Sequence, residues 1–510
     1  MYTYHSGSTY GLFSGTLTPT KTGTWTLNAS GGSLSINYGI GITVQSGPPA
    51  NGTLTPAAVV VYKAGSNVIS ASSITDAYGN ACTGTYAMTE SYVGTYSGFS
   101  ASNLNITISN GSGTAITSAF NQVYGIITYH LGSAQCSFCV WMNPNYTIGA
   151  TFSSGYAISN SSNHVNSWGN NSHGELGNET TNNSSSPVQV YGSNNSIAIA
   201  GGTEAVYNLF ESNGTGMVAA WGNNNYGQLG NGTINNSYSP YMISNFNNIV
   251  AIAGGGNTGY ALKSDGTVWA WGYGAYGQLG NGSTTNAQTN PVQVSGLTNI
   301  ISIAGIGNTG YALKSDGTVW AWGFGTHGEI GNGSTSSSQT TPVQVSGLTN
   351  IVAIAGGGDT GYALDSSGHV WSWGYGGYGQ LGNGTTTYAQ TTPVQVSGLT
   401  NIIAIAGGQG AGTGYALKSD GTVWAWGNGG YGQLGNGTTT TVQTIPVETS
   451  YLSNIVAIVG GGNTCYALKS DGTIWAWGFG NDGELGNGTI TYVQDTPVQV
   501  TQSGWTAALP

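Results

Sequence analysis

Short runs that alternate apolar and polar residues recur along the last two thirds of the chain. In one unit the alternation at 300–304 predicts a first strand, and the apolar run at 310–313 predicts a second. Ser315-Asp-Gly-Thr318 is a strong hairpin signal, so the chain is expected to return as a third strand at 318–322. A polar Ser/Thr run then leads to Pro342-Val-Gln-Val345. We predict that Pro342 begins a short outer strand, where a missing N–H is tolerated.

This unit occurs seven times. Its marker is a Trp-Gly pair that returns every 50 to 53 residues, at Trp168, Trp221, Trp271, Trp322, Trp373, Trp426 and Trp477. Four short antiparallel strands that repeat at a constant period are typical of a β-propeller, in which each blade buries its faces against its neighbours. We therefore predict an all-β chain with a seven-bladed β-propeller at residues 146–510. Each blade is expected to consist of contiguous sequence, with no strand exchanged between the termini.

Residues 1–145 have a different sequence pattern. Alternating segments such as Ile42-Thr-Val44 predict strands, and a Gly-Pro-Pro linker follows. The order Leu54-Thr-Pro, Ala64-Gly and Thr75-Asp-Ala-Tyr-Gly-Asn80 resembles bacterial immunoglobulin-like modules of surface proteins. We predict an immunoglobulin-like β-sandwich domain at 46–145. Residues 1–45 are then a partial β-sandwich module or assembly strands, which suggests that the chain is a fragment or that its first strands pair elsewhere.

Composition and charge exclude several partner classes. Glycine is abundant at 88 residues, only 5% of residues are charged, and the formal net charge is −11. The chain has no arginine, and its six basic residues are Lys21, Lys63, Lys263, Lys314, Lys418 and Lys469. Binding to nucleic acid or to an anionic membrane needs clustered basic side chains, so we expect neither. No apolar run reaches the length of about 18 residues that a membrane-spanning helix needs.

The repeats resemble a known family. The run Ala312-Leu-Lys-Ser-Asp-Gly-Thr-Val-Trp-Ala-Trp-Gly323 and the Gly-Gln-Leu-Gly loops at Gly227, Gly277, Gly379 and Gly432 resemble the repeats of the regulator of chromosome condensation family. Kelch repeats have a similar period but lack this loop. The founder of the family exchanges nucleotide on a Ran-type GTPase and binds chromatin. These functions are not carried over here, because the chain lacks arginine and the His that commonly follows the inner-strand glycines. The near-identical blades are similar to those of prokaryotic surface proteins.

Four cysteines suggest disulfides in an exported protein: Cys82, Cys136, Cys139 and Cys465. We predict that Cys465 pairs with Cys136 or Cys139 across the junction of the first and last blades, and that Cys82 bonds the remaining member. Cys136-Ser-Phe-Cys139 lacks the second ligand pair that a zinc site needs. We therefore predict no metal site.

Asn-x-Ser/Thr triplets are dense, which suggests a secreted glycoprotein. The candidate glycan acceptors are Asn28, Asn51, Asn105, Asn110, Asn145, Asn178, Asn213, Asn231, Asn281, Asn332, Asn383, Asn436 and Asn487. Asn-Gly is also ordinary turn chemistry, and this alternative stays open for the copies from Asn281 to Asn487.

The loop after each Trp-Gly pair carries aromatic residues that suggest a binding surface. We single out Tyr226, Tyr276, Tyr378 and Tyr431, since tyrosines on one propeller face could stack on sugars or anchor a protein partner. The alternative is that these rings only pack blade against blade.

No set of residues forms a recognisable catalytic site. Glu175, Glu329 and Glu484 share one repeat position on different blades, and His173 and His327 share the position two residues earlier. No nucleophile elbow, P-loop or His-Glu-x-x-His motif occurs. We expect no enzymatic activity and no cofactor.

These observations suggest an extracellular or cell-surface structural or adhesion protein. It could be a filament subunit that assembles by strand complementation through its N-terminal β domain, with the propeller as an exposed interaction head. The expected partners are further copies of the chain, other surface proteins or glycans. The alternative is a lectin-like or inhibitor-like binding module on the propeller face.

Overall fold

The computed structural model describes residues 146–501 except 160–162, 213 and 411, and within residues 1–145 it describes only the backbone of strands. The chain divides into two compact units, Met1–Asn143 and Pro144–Pro510. None of the described residues belongs to a helix that is long and apolar enough to cross a membrane.

The described backbone of the N-terminal unit is entirely β. Its strands pair antiparallel apart from β4 with β7, which run parallel. They are β1 Tyr10–Gly11, β2 Phe13–Leu17, β3 Thr26–Ser30, β4 Ile40–Ser46, β5 Gly52–Pro56, β6 Val59–Val60, β7 Asn67–Ser72, β8 Gly84–Ala87, β9 Thr89–Val93, β10 Asn103–Ser109, β11 Ser112–Thr117, β12 Tyr124–Leu131 and β13 Ala134–Trp141. The side chains and connections of the predicted immunoglobulin-like domain lie outside the described residues.

The second unit is the predicted seven-bladed propeller, and each blade is one four-stranded antiparallel sheet made of consecutive strands. The innermost strands are β14 Tyr146–Ala150, β18 Ser196–Gly201, β22 Ile249–Gly255, β26 Ile300–Ile306, β30 Ile351–Gly357, β34 Ile402–Gly407 and β38 Ile455–Gly460. The second strands are β15 Ser154–Ser159, β19 Ala205–Ser212, β23 Thr258–Lys263, β27 Thr309–Lys314, β31 Thr360–Asp365, β35 Thr413–Lys418 and β39 Thr464–Lys469.

The two outer strands complete each blade. The third strands are β16 His164–Gly169, β20 Thr215–Gly222, β24 Val268–Gly272, β28 Val319–Gly323, β32 Val370–Gly374, β36 Val423–Gly427 and β40 Ile474–Gly480. The fourth are β17 Ser184–Gln189, β21 Ser237–Asn247, β25 Gln288–Gln293, β29 Gln339–Gln344, β33 Gln390–Gln395, β37 Gln443–Glu448 and β41 Thr491–Gln499. Because every blade uses contiguous sequence, no strand passes between blades in the described propeller.

Blade 4 shows how local sequence specifies the unit. Asp316 Oδ1 accepts hydrogen bonds from the backbone N–H and the hydroxyl of Thr318, at 3.0 and 2.6 Å, which fixes the predicted hairpin turn. The position predicted for Pro342 is wrong in detail. The outer strand begins at Gln339, and Pro342 lies inside it. An outermost strand tolerates this because its free edge needs no N–H donor.

The hydrophobic core lies between blades. One typical layer joins Leu313 and Val319 of blade 4 to Ala363 and Trp373 of blade 5, and all four side chains are buried. The layer between the last and first blades contains apolar residues at the equivalent positions, since Leu468 and Ile474 pack with Trp168. A ring of blades therefore buries one continuous series of equivalent layers.

Candidate functional site

The propeller has two different faces. The loop face carries the turns between the first and second strands and the loops between the third and fourth. Hydrogen bonds between adjacent blades show that these loops and turns lie on the same face. For example, Gln278 in the loop of blade 3 donates a 3.1 Å hydrogen bond to Asn308 in the turn of blade 4. The hairpin face carries the tight turns between the second and third strands and the connections from blade to blade.

Aromatic rings line a continuous part of the loop face. Each ring contacts the next with centroid separations between 4.8 and 6.3 Å, and the series crosses blades 2 to 5. We call this series the aromatic arc, which consists of Tyr226, Tyr273, Tyr276, Phe324, His327, Tyr375, Tyr378 and Tyr388. The most exposed members are Tyr378 and Tyr388, whose relative exposures are 42% and 64%. The arc therefore offers several ring faces and edges to solvent.

Three of the four predicted tyrosines, Tyr226, Tyr276 and Tyr378, belong to the arc. Tyr431 lies apart from them, in a second group of rings on blades 6 and 7. There it contacts Phe479 and Tyr492 with centroid separations of 5.3 and 5.8 Å. Sequence reasoning missed Tyr388, because this residue lies in a polar run far from the Trp-Gly mark. It reaches the arc only through its contacts with His327 and Tyr375.

Charge is distributed unequally between the faces. Among the described residues the loop face carries seven carboxylates, at Glu175, Glu179, Glu204, Glu329, Asp359, Asp482 and Glu484. The four lysines of the described propeller all lie at the ends of second strands, towards the hairpin face. Each lysine stacks on a Trp of its own blade, as Lys314 does with Nζ 4.4 Å from the ring centroid of Trp320. Within the described residues the loop face is therefore anionic and without lysine.

Two clusters of possible metal ligands lie on this face. His173 and Glu175 of blade 1 meet Glu204 of blade 2, and His327 and Glu329 of blade 4 meet Asp359 of blade 5. Within each cluster, the ligand atoms all lie within 4.8 Å of one another. Sequence reasoning noted the shared His and Glu positions but missed the third group, because it belongs to the turn of the next blade.

Burial shifts the titration of these carboxylates. Desolvation raises the pKa of Glu329, and the nearby Asp359 adds to the rise. Desolvation also raises the pKa of Asp359, which His327 opposes, and that of Glu175. At the last blade, desolvation raises the pKa of Glu484 to about 7. Burial therefore disfavours the charged forms of these carboxyl groups, and a nearby cation would offset that cost.

Cys465 is a free thiol that is fully buried. It packs in the core layer with Tyr415 and Trp477, and burial raises the pKa of its thiol. The side chains of Cys82, Cys136 and Cys139 lie outside the described residues. The structure thus gives the predicted Cys465 disulfide no support, since its sulfur is enclosed by its own core layer, while the bond predicted for Cys82 stays a prediction.

Seven of the candidate Asn-x-Ser/Thr triplets lie in described residues and form turns. In each of seven triplets the hydroxyl of the Ser or Thr donates to the Asn Oδ1 two residues earlier, as Ser334 does to Asn332 at 2.6 Å. The other six begin at Asn178, Asn231, Asn281, Asn383, Asn436 and Asn487. The side chains of Asn28, Asn51, Asn105, Asn110, Asn145 and Asn213 lie outside the described residues. Turn chemistry therefore gives these triplets a structural role, and glycosylation stays a prediction.

Comparison with known proteins identifies the repeats. The family described as regulator of chromosome condensation (RCC1) repeat matches residues 162–206, 215–262, 265–309, 316–364, 367–411, 420–468 and 471–506. The chain belongs to the RCC1 repeat family. A second description of the same repeat matches residues 249–278, 351–380 and 402–433. The resemblance inferred from the Trp-Gly units and the Gly-Gln-Leu-Gly loops is thus confirmed.

Relatives of this RCC1 repeat chain include the mitochondrial RCC1 domain-containing protein RUG3 of Arabidopsis thaliana. It is 31% identical over 306 residues, which cover 57% of this chain and 68% of that protein. The human E3 ubiquitin-protein ligase HERC2 is 29% identical over 293 residues, 55% of this chain but 6% of HERC2. The solved structure of Prp20p from Saccharomyces cerevisiae shares the fold, with a TM-score of 0.58 at 22% identity, and the match covers 66% of this chain and 85% of Prp20p.

The ligase relative corrects one expectation. We expected no enzymatic activity for a chain of this kind, and that prediction is wrong in the light of a relative named as an E3 ubiquitin-protein ligase. That prediction rested only on the absence of catalytic motifs in the repeats. The segment that matches this chain makes up only 6% of the ligase.

Proposed function

We propose that the propeller is a protein-recognition head and that its loop face binds a partner segment rich in Lys or Arg. The observation that carries the proposal is the combination of exposed tyrosines and carboxylates on one face. Tyrosine is a frequent anchor in protein interfaces, and aromatic faces attract cationic side chains. Carboxylates beside the rings would add charge complementarity and steer a cationic partner to this face.

Protein binding is in keeping with the family. The structure of Prp20p was described together with its binding to Gsp1p and histones. The likeness between the two chains supports a shared scaffold. The choice of a cationic partner rests instead on the charges and rings of this chain.

The wider role inferred from the sequence stays a prediction. An extracellular location, adhesion, filament assembly through the N-terminal strands and self-association all depend on residues or surroundings beyond the described propeller. Binding of glycans to the loop-face tyrosines also stays a prediction, and sugars would use the same exposed rings.

Calorimetry with synthetic peptides tests the proposal. A Lys/Arg-rich peptide is titrated into the full chain, beside a peptide of equal length in which Gln replaces every Lys and Arg. We expect binding only of the cationic peptide, with an affinity that falls as salt is raised. Binding of both peptides with equal affinity, or of neither, would overturn the proposal.

Substitutions locate the surface. The variant Tyr276→Ala/Tyr378→Ala removes two exposed rings of the arc. It should weaken binding at least tenfold, since each anchor is worth more than about 1 kcal/mol. The matched control is Tyr451→Gly on the hairpin face. Tyr451 is 85% exposed, and three other blades carry glycine at its place, at Gly296, Gly347 and Gly398. Equal affinity of the arc variant and the control would exclude the arc as the binding surface.

A further inference from the structure

Five of the seven junctions between blades carry one of two alternative sets of side chains at three equivalent positions. One set is neutral, with Tyr276 and Gln278 of blade 3 beside Asn308 of blade 4. The same residue types meet at the junctions of blades 2 and 3 and of blades 6 and 7. The other set is ionisable, with His327 and Glu329 beside Asp359, or His173 and Glu175 beside Glu204. At these five junctions all three positions change together, although they belong to two different blades.

In the neutral set the contact is a donor meeting an acceptor. The amide of Gln278 donates to Asn308 Oδ1 at 3.1 Å, and Gln433 donates to Asn463 at 3.4 Å. When Gln becomes Glu and Asn becomes Asp or Glu, both partners are acceptors that carry negative charge. Such a pair is stable at close range if a cation lies between the carboxylates or if one of them binds a proton.

The histidine is positioned to complete a cation site. His327 Nε2 lies 3.2 Å from the Tyr388 hydroxyl, while Nδ1 lies 3.1 Å from Glu329 Oε1. A metal-bound histidine commonly has its second nitrogen held by a hydrogen bond in this way. At the other junction, His173 Nδ1 lies 3.4 Å from Glu175 Oε1 and 3.6 Å from Glu204 Oε2. Ligands in a tetrahedral shell with bonds of about 2.0–2.1 Å are separated by about 3.3 Å.

We propose that each of these two junctions binds one divalent transition-metal ion of the zinc class, through the histidine Nδ1 and the two carboxylates. A nitrogen ligand favours zinc over calcium and magnesium, which take oxygen ligands. Three protein ligands leave at least one coordination position open to solvent on the loop face. This inference goes beyond the proposed peptide binding and does not depend on it. Zinc at each junction would neutralise the charge of two loop-face carboxylates, so the peptide titrations use the chelator-treated chain. The competing account is a histidine–glutamate pair that is held by a proton alone.

Zinc stoichiometry decides between the two accounts. The full chain is freed of metal with a chelator, equilibrated with Zn²⁺ and analysed for bound metal, in parallel with variants. Glu329→Gln/Asp359→Asn gives the two carboxylate positions at the junction of blades 4 and 5 the residues of a neutral junction and leaves His327 in place, so it should fold normally. We expect it to bind one zinc fewer per chain than the wild type. The corresponding variant Glu175→Gln/Glu204→Asn should also lose one, and the combined variant two.

The controls separate these sites from other zinc ligands. Cysteines are present in every variant, so any zinc held by Cys136 or Cys139 cancels in the differences. Asp420→Asn removes a carboxylate on the hairpin face and should leave the stoichiometry unchanged. Near-ultraviolet circular dichroism confirms folding. Equal zinc content in the wild type and the combined variant would overturn the proposal, and so would a wild type that binds no zinc.

Discussion

Trp168 Nε1 donates a 2.9 Å hydrogen bond to the backbone carbonyl of Glu484, 316 residues further along the chain. The same carbonyl accepts the hydroxyl of Tyr466 at 2.8 Å. Every other junction repeats this double contact, in which the Trp indoles of six blades donate to the carbonyls of Glu175, Gln228, Gln278, Glu329, Gln380 and Gln433. The first and last blades are thus joined by the same noncovalent contact as any other pair.

This equivalence makes a prediction about ring closure. Trp168→Phe removes the indole donor and part of the buried ring at the closing junction, and Trp322→Phe does the same at an internal one. We expect each substitution to lower the free energy of unfolding by about 1–3 kcal/mol, from one lost hydrogen bond and a small cavity. Urea unfolding of both variants measures this. A large loss in Trp322→Phe together with none in Trp168→Phe would show that the closing junction is held by something else.

A second prediction concerns the glycine that faces the buried Trp in five of the seven blades. A Cβ at Gly310 would lie 2.5 Å from the Trp322 ring. Blades 2 and 7 carry Val206 and Cys465 at this position. The Trp rings of those two blades lie 6.4 and 6.3 Å from the Tyr of the preceding blade, against 5.5 to 5.9 Å at the other junctions. Where this position carries a side chain, the Trp ring therefore lies further from the Tyr ring of the preceding blade.

We expect Gly310→Ala to destabilise the chain by about 1–3 kcal/mol, because the inserted methyl overpacks a closed layer. Cys465→Ala is the matched control, since a Cβ already fits there, and it should cost less. Thermal unfolding of the two variants tests the comparison. A cost of Cys465→Ala equal to or above that of Gly310→Ala would contradict the proposed clash.

A third prediction concerns pH. Glu484 has its pKa raised from 4.5 to about 7, because its side chain is buried. The folded state then binds more protons than the unfolded state between these two values, so stability should fall as pH rises from about 4.5 to about 7. Glu484→Gln removes this titration and supplies the residue that four blades carry there. We expect it to raise the free energy of unfolding at pH 8 by about 1–3 kcal/mol and to have little effect at pH 4.

Unfolding in urea at the two pH values checks this expectation. The control is Asp316→Asn, because hydrogen bonds from Thr318 lower the pKa of this exposed turn residue. Its titration lies below the window in which Glu484 titrates. A Glu484→Gln variant that gains no more stability at pH 8 than at pH 4 would contradict the raised pKa.

The repeat made the propeller predictable, whereas contacts between repeats were not. Trp-Gly spacing and the Asp-Gly turns fixed the blade number and the strand order, since both depend on local sequence. The approach of Glu329 to Asp359, and of Tyr388 to His327, depends on how one blade packs on the next. Periodicity shows which residues are equivalent but not which ones touch. One usable signal was present, because Tyr, Gln and Asn change together to His, Glu and an acidic residue at two junctions.

The central claim is that the loop face recognises a cationic protein segment, and hydrogen exchange of the full chain with saturating Lys/Arg-rich peptide tests it most directly. We predict slower exchange of backbone amides in the arc loops, at residues 323–333 and 374–384. The hairpin turns at 264–267 and 315–318 should exchange as they do in the free chain. Protection confined to the hairpin turns, or no change anywhere at saturation, would contradict the account.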